Sequence, residues 1–291
     1  MQTKHIIVFV LLTFLFSWPF FFVGDIWLSP MFFDQGNRAA GNLVGLAGHM
    51  LGMAGPAVAA ILMSRLYHKE PLPSWKWGHP KYYGLVALAM LALWAVPAMA
   101  GLIAGVFTVR NPVTSFIWVM IGLFVGLGWF AGLGEEIGWC TYLLPRLAPR
   151  LGKTGALAVS GVIRGLWHWP IMVAPVIIQV AAGEKTIGQL VILSLVFALQ
   201  LAWSNIFFGA VFGWVWYKTE SAPLLGWLHQ WYDMARDTIT LLVIGYAGSI
   251  GWTVAMIAFV TVGVYLLLRV AREEGSKLWT WMQALEGKKK S

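Results

Sequence analysis

The run SFIWVMIGLFVGLGWFAGL, Ser115 to Leu133, leads directly into Gly134-Glu135-Glu136-Ile137-Gly138-Trp139-Cys140. An uncharged run of this length reads as a membrane-spanning helix. Two adjacent carboxylates at its end are costly. A charged side chain inside a bilayer costs at least about 2.5 kcal/mol, so such residues face a protein interior or a wet cavity. The remaining sequence is therefore read for what surrounds this pair.

The 291 residues are 59% hydrophobic and 11% charged, with a mean hydropathy of +0.73. Soluble domains carry about 25% charged residues, so the composition indicates an all-α, polytopic membrane protein. The single cysteine excludes an intramolecular disulfide and a Cys-rich metal site. Lys4 is followed by apolar residues with no small-residue cleavage pattern, which reads as an uncleaved first span. No lipidation motif is seen at either end.

Eight stretches are apolar enough to span: 5–24, 42–65, 83–106, 115–144, 155–176, 188–217, 223–246 and 250–269. The fourth and sixth exceed one bilayer width and imply tilt. The seventh is the weakest, because His229, Asp233, Arg236 and Asp237 fall within it. With both termini cytoplasmic, 15 of the 20 lysines and arginines fall inside, while Arg38, Arg110 and Lys185 fall outside. This asymmetry is a topology signal. The net charge of +8 is therefore not read as nucleic-acid binding. Residues 1–291 form one transmembrane domain, in which 115–240 holds the chemistry. The basic tail 270–291, with Leu278, Trp279, Trp281, Met282 and Leu285 ahead of three lysines, reads as an interfacial helix or a solvated end. The 18 tryptophans, Trp27, Trp75, Trp77 and Trp118 among them, fit interfacial belts.

Further ionisable groups lie within the spans. Arg164 and His168 are four residues apart in the fifth span, and His229 and Asp233 four apart in the seventh, so each pair shares a helix face. Arg164 lies about 15 Å from either end of its span at 1.5 Å per residue, too deep to snorkel easily, and needs an acidic partner. A carboxylate beside a histidine in a restricted wet cavity is a candidate general base. Four such groups, Glu135, Glu136, His168 and His229, on three spans point to convergence. His49, alone in the second span, reads as a packing or hydrogen-bonding residue. Asp233 with Arg236 reads also as a structural pair. A divalent ion held by Glu, His and Asp would have to be assembled from three helices, since the His-Glu-x-x-His signature is absent. No cofactor is the reading adopted, with a divalent metal as the open alternative.

These three clusters resemble the CPBP family, the CAAX proteases and bacteriocin-processing enzymes also called the ABI family. Its pattern is Glu-Glu-x-x-x-Arg, then aromatic-x-x-x-His, then His-x-x-x-Asn or Asp. Here Glu135-Glu136 through Cys140, Arg164 through His168, and His229 through Asp233 correspond. Weaker likeness lies at Phe14 to Pro19 and at Gly55-Pro56-Ala57. The resemblance implies eight transmembrane helices around an intramembrane polar cavity, and an endopeptidase acting on a membrane-embedded or lipidated peptide. It implies that Glu135 and His168 activate water, and that His229 and Asp233 bind the oxyanion or orient the site. It also implies a bacterial cytoplasmic membrane.

Two positions depart from the pattern: the family arginine is Cys140, and the family aromatic is Arg164. Arg164 is expected to supply the missing guanidinium from the adjacent span and to pair with Glu136. Competing readings are a catalytically impaired homologue that binds a membrane partner, Cys140 as a nucleophile, and a transporter with an acid–histidine proton relay. A thiol beside two carboxylates makes a poor nucleophile. No repeat symmetry of the transporter kind is seen in the sequence.

Overall fold

The computed structural model describes residues 3–70, 75–109, 124–244 and 250–275, and among them there is no strand. The helices are α1 (Thr3–Phe21), α2 (Ser29–Asp34), α3 (Arg38–Met53), α4 (Gly55–Leu62), α5 (Lys81–Ile103), α6 (Trp129–Glu136), α7 (Leu144–Trp167), α8 (Trp169–Ala181), α9 (Ile187–Thr219), α10 (Ala222–Ile239) and α11 (Ile250–Glu274). Wider π-helical turns join several of them, and five helical segments result: Thr3–Asp34, Ala39–His68, Lys81–Ile103, Gly126–Ala181, which is broken at Gly152 and turns at His168, and Ile187–Thr219. These five are long and apolar enough to cross a bilayer. The all-α polytopic membrane fold inferred from composition is therefore present. Residues 115–123 of the fourth expected span, Trp118, Arg110 and the tail beyond Gly275 lie outside the described residues.

Local sequence explains the breaks. Gly152 adopts φ 70°, ψ 169° inside α7, a left-handed position that glycine takes without a Cβ clash, and splits the helix in two. At His168 the chain turns, and Pro170 sits in the first turn of α8, where a missing N–H costs nothing. The expected fifth span, 155–176, is thus two helices meeting at His168. Thr186 and Gln189 form a reciprocal cap at the start of α9. Ser221 accepts from Leu224 N at 3.2 Å to open α10. α10 ends at Ile239, short of the expected 246, and passes into a π-helical turn, Thr240–Ile244.

Lipid offers no hydrophobic drive between helices, so close backbone approach has to supply the packing. At Gly165 of α7 a Cβ would fall 2.2 Å from the Leu201 carbonyl of α9, and at Gly138 one would fall 2.3 Å from Pro56 Cβ. Overpacking of this kind costs about 1–3 kcal/mol. Gly138→Ala is therefore expected to lower the thermal midpoint of the purified protein by several degrees. A midpoint equal to wild type would show that the α4 contact yields freely.

Contacts at the helix ends link all five segments assigned to one side of the bilayer. Arg150 donates to Thr3 Oγ1, Arg146 pairs with Glu70 at 2.9 Å, and Lys76 pairs with Glu220. Lys218 pairs with Glu273 at 2.7 Å. Glu274 accepts from Lys153 N, from Thr154 N at 3.0 Å and from Thr154 Oγ1 at 2.9 Å. It thereby caps the second half of α7, the half that carries Arg164 and His168. Partial burial pushes the Glu274 carboxyl up, but these hydrogen bonds outweigh it and hold the group below its ordinary value. Not every tryptophan belongs to an interfacial belt: Trp94, Trp139 and Trp167 are fully buried and form part of the packed interior.

Candidate active site

Glu135 and Glu136 are the last residues of α6, which passes at Ile137 into a π-helical stretch, Ile137–Leu143. Such turns recur at functional sites because they re-aim side chains without ending the helix. Backbone proximity seats the pair. A Cβ at Gly132 would lie 2.7 Å from His229 Cβ, and one at Gly134 would lie 2.9 Å from the Met53 carbonyl. The glycines flanking the glutamates thus let α10 and the end of α3 come against α6.

Both glutamates are fully buried, and Arg164 is 1% exposed. Arg164 Nη2 donates to Glu136 Oε1, and its Nε lies 3.6 Å from Glu135 Oε2. The pairing expected of Arg164 is therefore present, and it gives the mid-membrane cation a partner from the neighbouring helix. The guanidinium also lies over aromatic faces, with Cζ 4.8 Å from the Phe208 ring centroid, 5.3 Å from Phe212 and 5.9 Å from Trp139. The Cys140 thiol lies against Glu136 rather than at an open surface.

His229 Nδ1 donates to the same Glu136 oxygen at 2.9 Å. Its Nε2 faces Asp233 Oδ2 at 3.4 Å and Glu135 Oε1 at 3.8 Å. Ionised carboxylates only accept, so a ring carrying hydrogens on both nitrogens can donate to Glu136 from Nδ1 and to Asp233 from Nε2, while Glu135 lies beyond hydrogen-bond distance. The nitrogen that Glu136 fixes is Nδ1, while the i+4 contact of Asp233 falls on Nε2. Asp233 in turn accepts from Arg236 at 2.9 Å, and Arg236 also holds Asp237 at 2.6 Å.

His168 approaches Glu135 from α7. Its Nδ1 lies 2.9 Å from the Arg164 carbonyl, which accepts only, so Nδ1 carries the hydrogen. In a neutral ring the lone pair then resides on Nε2, 4.0 Å from Glu135 Oε1. Neither oxygen of Glu135 accepts a hydrogen bond from the described residues. One water donating to Nε2 and to Oε1 fits that separation. The His168 side chain is 28% exposed and that of Asp233 16%, so the centre opens on this side.

Glu135, Glu136 and His229 offer three ligand atoms within 4.8 Å of one another. The donor set suits a divalent ion, but the Arg164 guanidinium already lies on Glu136 Oε1 and beside Glu135. A dication at this point would stand against that charge and share the same carboxylates with it.

Beside the polar centre lies an apolar cavity of about 540 Å³, lined among others by Leu43, Leu46, Met50, Ala54, Phe130 and Ala131. Ala131 is one helical turn before Glu135, and Ala54 lies against Gly134. Leu43 and Phe130 are 65% and 63% exposed, which places the rim of the cavity on the lipid-facing surface.

The three sequence clusters are thus brought together. The aromatic enclosure of Arg164 by Phe208 and Phe212 was not legible in the sequence, because α9 is apolar along its length and a cage position reads like a lipid-facing one. The fold and the centre define a polytopic α-helical membrane protein with a buried acid–histidine–arginine site. Residues 114–235 match the family described as type II CAAX prenyl endopeptidase Rce1-like, so the resemblance read from the three motifs holds over that segment. No curated protein matches the chain.

Proposed function

We propose that the protein is an intramembrane endopeptidase acting on a lipidated or membrane-embedded peptide by water attack. The observation that carries this reading is the buried Glu135 carboxylate. It accepts no hydrogen bond from the described residues, and it stands 4.0 Å from a His168 nitrogen whose ring is oriented by the Arg164 carbonyl. Glu135 and His168 hold a water between them and take its proton as its oxygen attacks the scissile carbonyl. The hydrogen on His229 Nε2, which faces Asp233 at 3.4 Å in the resting site, turns to the developing oxyanion, where such donors are worth most. When the tetrahedral intermediate collapses, the C–N bond breaks and the stored proton goes to the leaving amine. Glu136 anchors Arg164 and His229, and Asp233 backs His229.

The substrate class rests on the family match and on the lateral cavity. An endopeptidase for prenylated chains needs an apolar slot beside the scissile bond that opens to lipid, and the cavity bordered by Met50 and Ala131 supplies one. Both termini are assigned to the cytoplasmic face on the basic-residue asymmetry, and the bacterial membrane is assigned on the resemblance to bacterial family members. The test is cleavage of a fluorogenic S-farnesylated peptide by the protein in liposomes, with Glu135→Gln as the control. Wild-type turnover that equals the control would remove the reading.

A catalytically impaired homologue was suggested by Cys140 standing where the family has arginine. The Arg164–Glu136 pair supports the active reading, since the guanidinium arrives from α7 instead. Because Arg164 fills the cation position, EDTA is expected to leave the rate within a factor of about two, a margin set by ordinary assay conditions rather than by loss of a metal, which costs many orders of magnitude. Loss of activity on chelation, restored by zinc, would assign the three ligands to a metal.

A further inference from the structure

The stretch Phe14 to Pro19 of α1 and the triplet Gly55-Pro56-Ala57 carry the weaker likeness in the sequence, and the chemistry above does not use them. In the structure they meet beside the centre. Ser17 sits against Gly55, and Pro56 sits against Gly138 in the π-helical stretch that follows the two glutamates. The next residue of α1, Trp18, reaches the other half of the centre. Its indole Nε1 donates to the Trp167 carbonyl at 3.1 Å. Its ring packs on Trp169 at 5.9 Å between centroids and stacks on Phe14 at 4.8 Å. Trp18 thus touches the residue on either side of His168.

The carbonyl it holds stands at the break between α7 and α8. In an unbroken helix the Ile171 N–H would reach that oxygen; here it donates to the His168 carbonyl at 3.2 Å. Within a bilayer a carbonyl released in this way needs another donor, and the indole supplies it. The Trp167 carbonyl and the His168 N–H belong to one planar peptide unit. Its N–H end donates within α7 to the Gly165 carbonyl at 3.1 Å and the Arg164 carbonyl at 3.3 Å. Its carbonyl end is held from α1. A plane fixed at both ends sets the direction in which the His168 side chain leaves the backbone. Held so, His168 Nδ1 meets the Arg164 carbonyl at 2.9 Å, and Nε2 stands 4.0 Å from Glu135. We infer that Trp18 is a positioning residue, which fixes the peptide unit between Trp167 and His168 and thereby aims the His168 ring at Glu135. The effect on rate rests on the peptidase reading, but the orientation of the ring is measurable without turnover.

The experiment compares wild type with Trp18→Phe in liposomes, by hydrolysis of the S-farnesylated peptide and by nitrogen NMR of isotope-labelled histidines. His168 is assigned by its absence from the spectrum of His168→Gln. Phenylalanine keeps an aromatic ring on Trp169 and removes the donor. The expected result is a fall in kcat of about tenfold, the worth of one hydrogen bond, with KM changed by less than about twofold. The His168 resonances are expected to pass from a single tautomer, with the hydrogen on Nδ1, to a mixture of the two. Unchanged His168 resonances would overturn the inference whatever the rate, and so would an unchanged kcat in a protein that cleaves. If Trp18→Phe does not fold, Phe14→Leu, which loosens the indole and keeps its N–H, is read by the same two measurements with the same outcomes deciding. Altered His168 resonances without wild-type cleavage would leave the inference about the ring standing and remove the peptidase reading.

Discussion

Glu135→Gln is expected to lower peptide hydrolysis at least about a thousandfold, within the range that a positioned general base contributes. The reason is geometric. Gln keeps the size of Glu and can still bind a water, but its amide cannot take the proton that the water must lose. The two oxygens of Glu135 are fully buried and accept no hydrogen bond from the described residues. Glu136 Oε1 is already committed to Arg164 and to His229. Stability is expected to hold or rise, since the change removes a buried carboxylate with no direct hydrogen bond. The check is a rate measurement in liposomes paired with a thermal melt of the same preparation. A variant that melts like wild type and retains more than a tenth of its rate would show that Glu135 is not the base.

Arg164→Leu is expected to destabilise the fold by about 3–5 kcal/mol, the cost of leaving buried charges without their partner. The substitution strands Glu136 and leaves Glu135 without its nearest cation, and it empties the space between Phe208, Phe212 and Trp139. It also unsettles His168, whose ring is held by the backbone of the same residue. Cys140→Ala, by contrast, removes a small buried thiol and is expected to cost about 1 kcal/mol or less. The two variants together test whether the guanidinium has moved from the position after the glutamates to the adjacent helix. Cys140→Arg introduced into Arg164→Leu puts the guanidinium where the family pattern has it, and is expected to recover part of the lost stability. Equal melting temperatures for Arg164→Leu and Cys140→Ala would mean that the ion pair contributes nothing to the fold.

The two predictions differ in what they probe. Glu135 is a group with few direct contacts and a proposed chemical task, so its loss should be seen in rate. Arg164 is a group with many contacts and no proton to exchange, so its loss should be seen in stability first and in rate only as a consequence.

The sequence by itself determined the class. Long uncharged runs in a chain with 11% charged residues leave a bilayer as the solvent, and within a bilayer each ionisable residue stands out because it is expensive. Glu135, Glu136, Arg164, His168, His229 and Asp233 were legible for that reason, and their i+4 spacings showed which of them share a helix face. The need of Arg164 for an acidic partner also followed from its depth alone.

Only the tertiary structure decided which atoms meet. That Glu136 serves as an anchor while Glu135 is left open depends on the rotation of α6 at its π-helical end, and adjacent identical residues cannot disclose that. That Nδ1 of His229 goes to Glu136 while Nε2 faces Asp233 and Glu135 depends on how closely α10 approaches at Gly132. The place of Trp18 and the aromatic enclosure of Arg164 depend on helix rotation within a uniformly apolar background, where hydrophobic pattern carries no facing information. In a soluble protein one helix face is marked by polar residues. In lipid both faces are apolar, and close backbone contacts at glycines such as Gly132, Gly134 and Gly165 fix the facing instead.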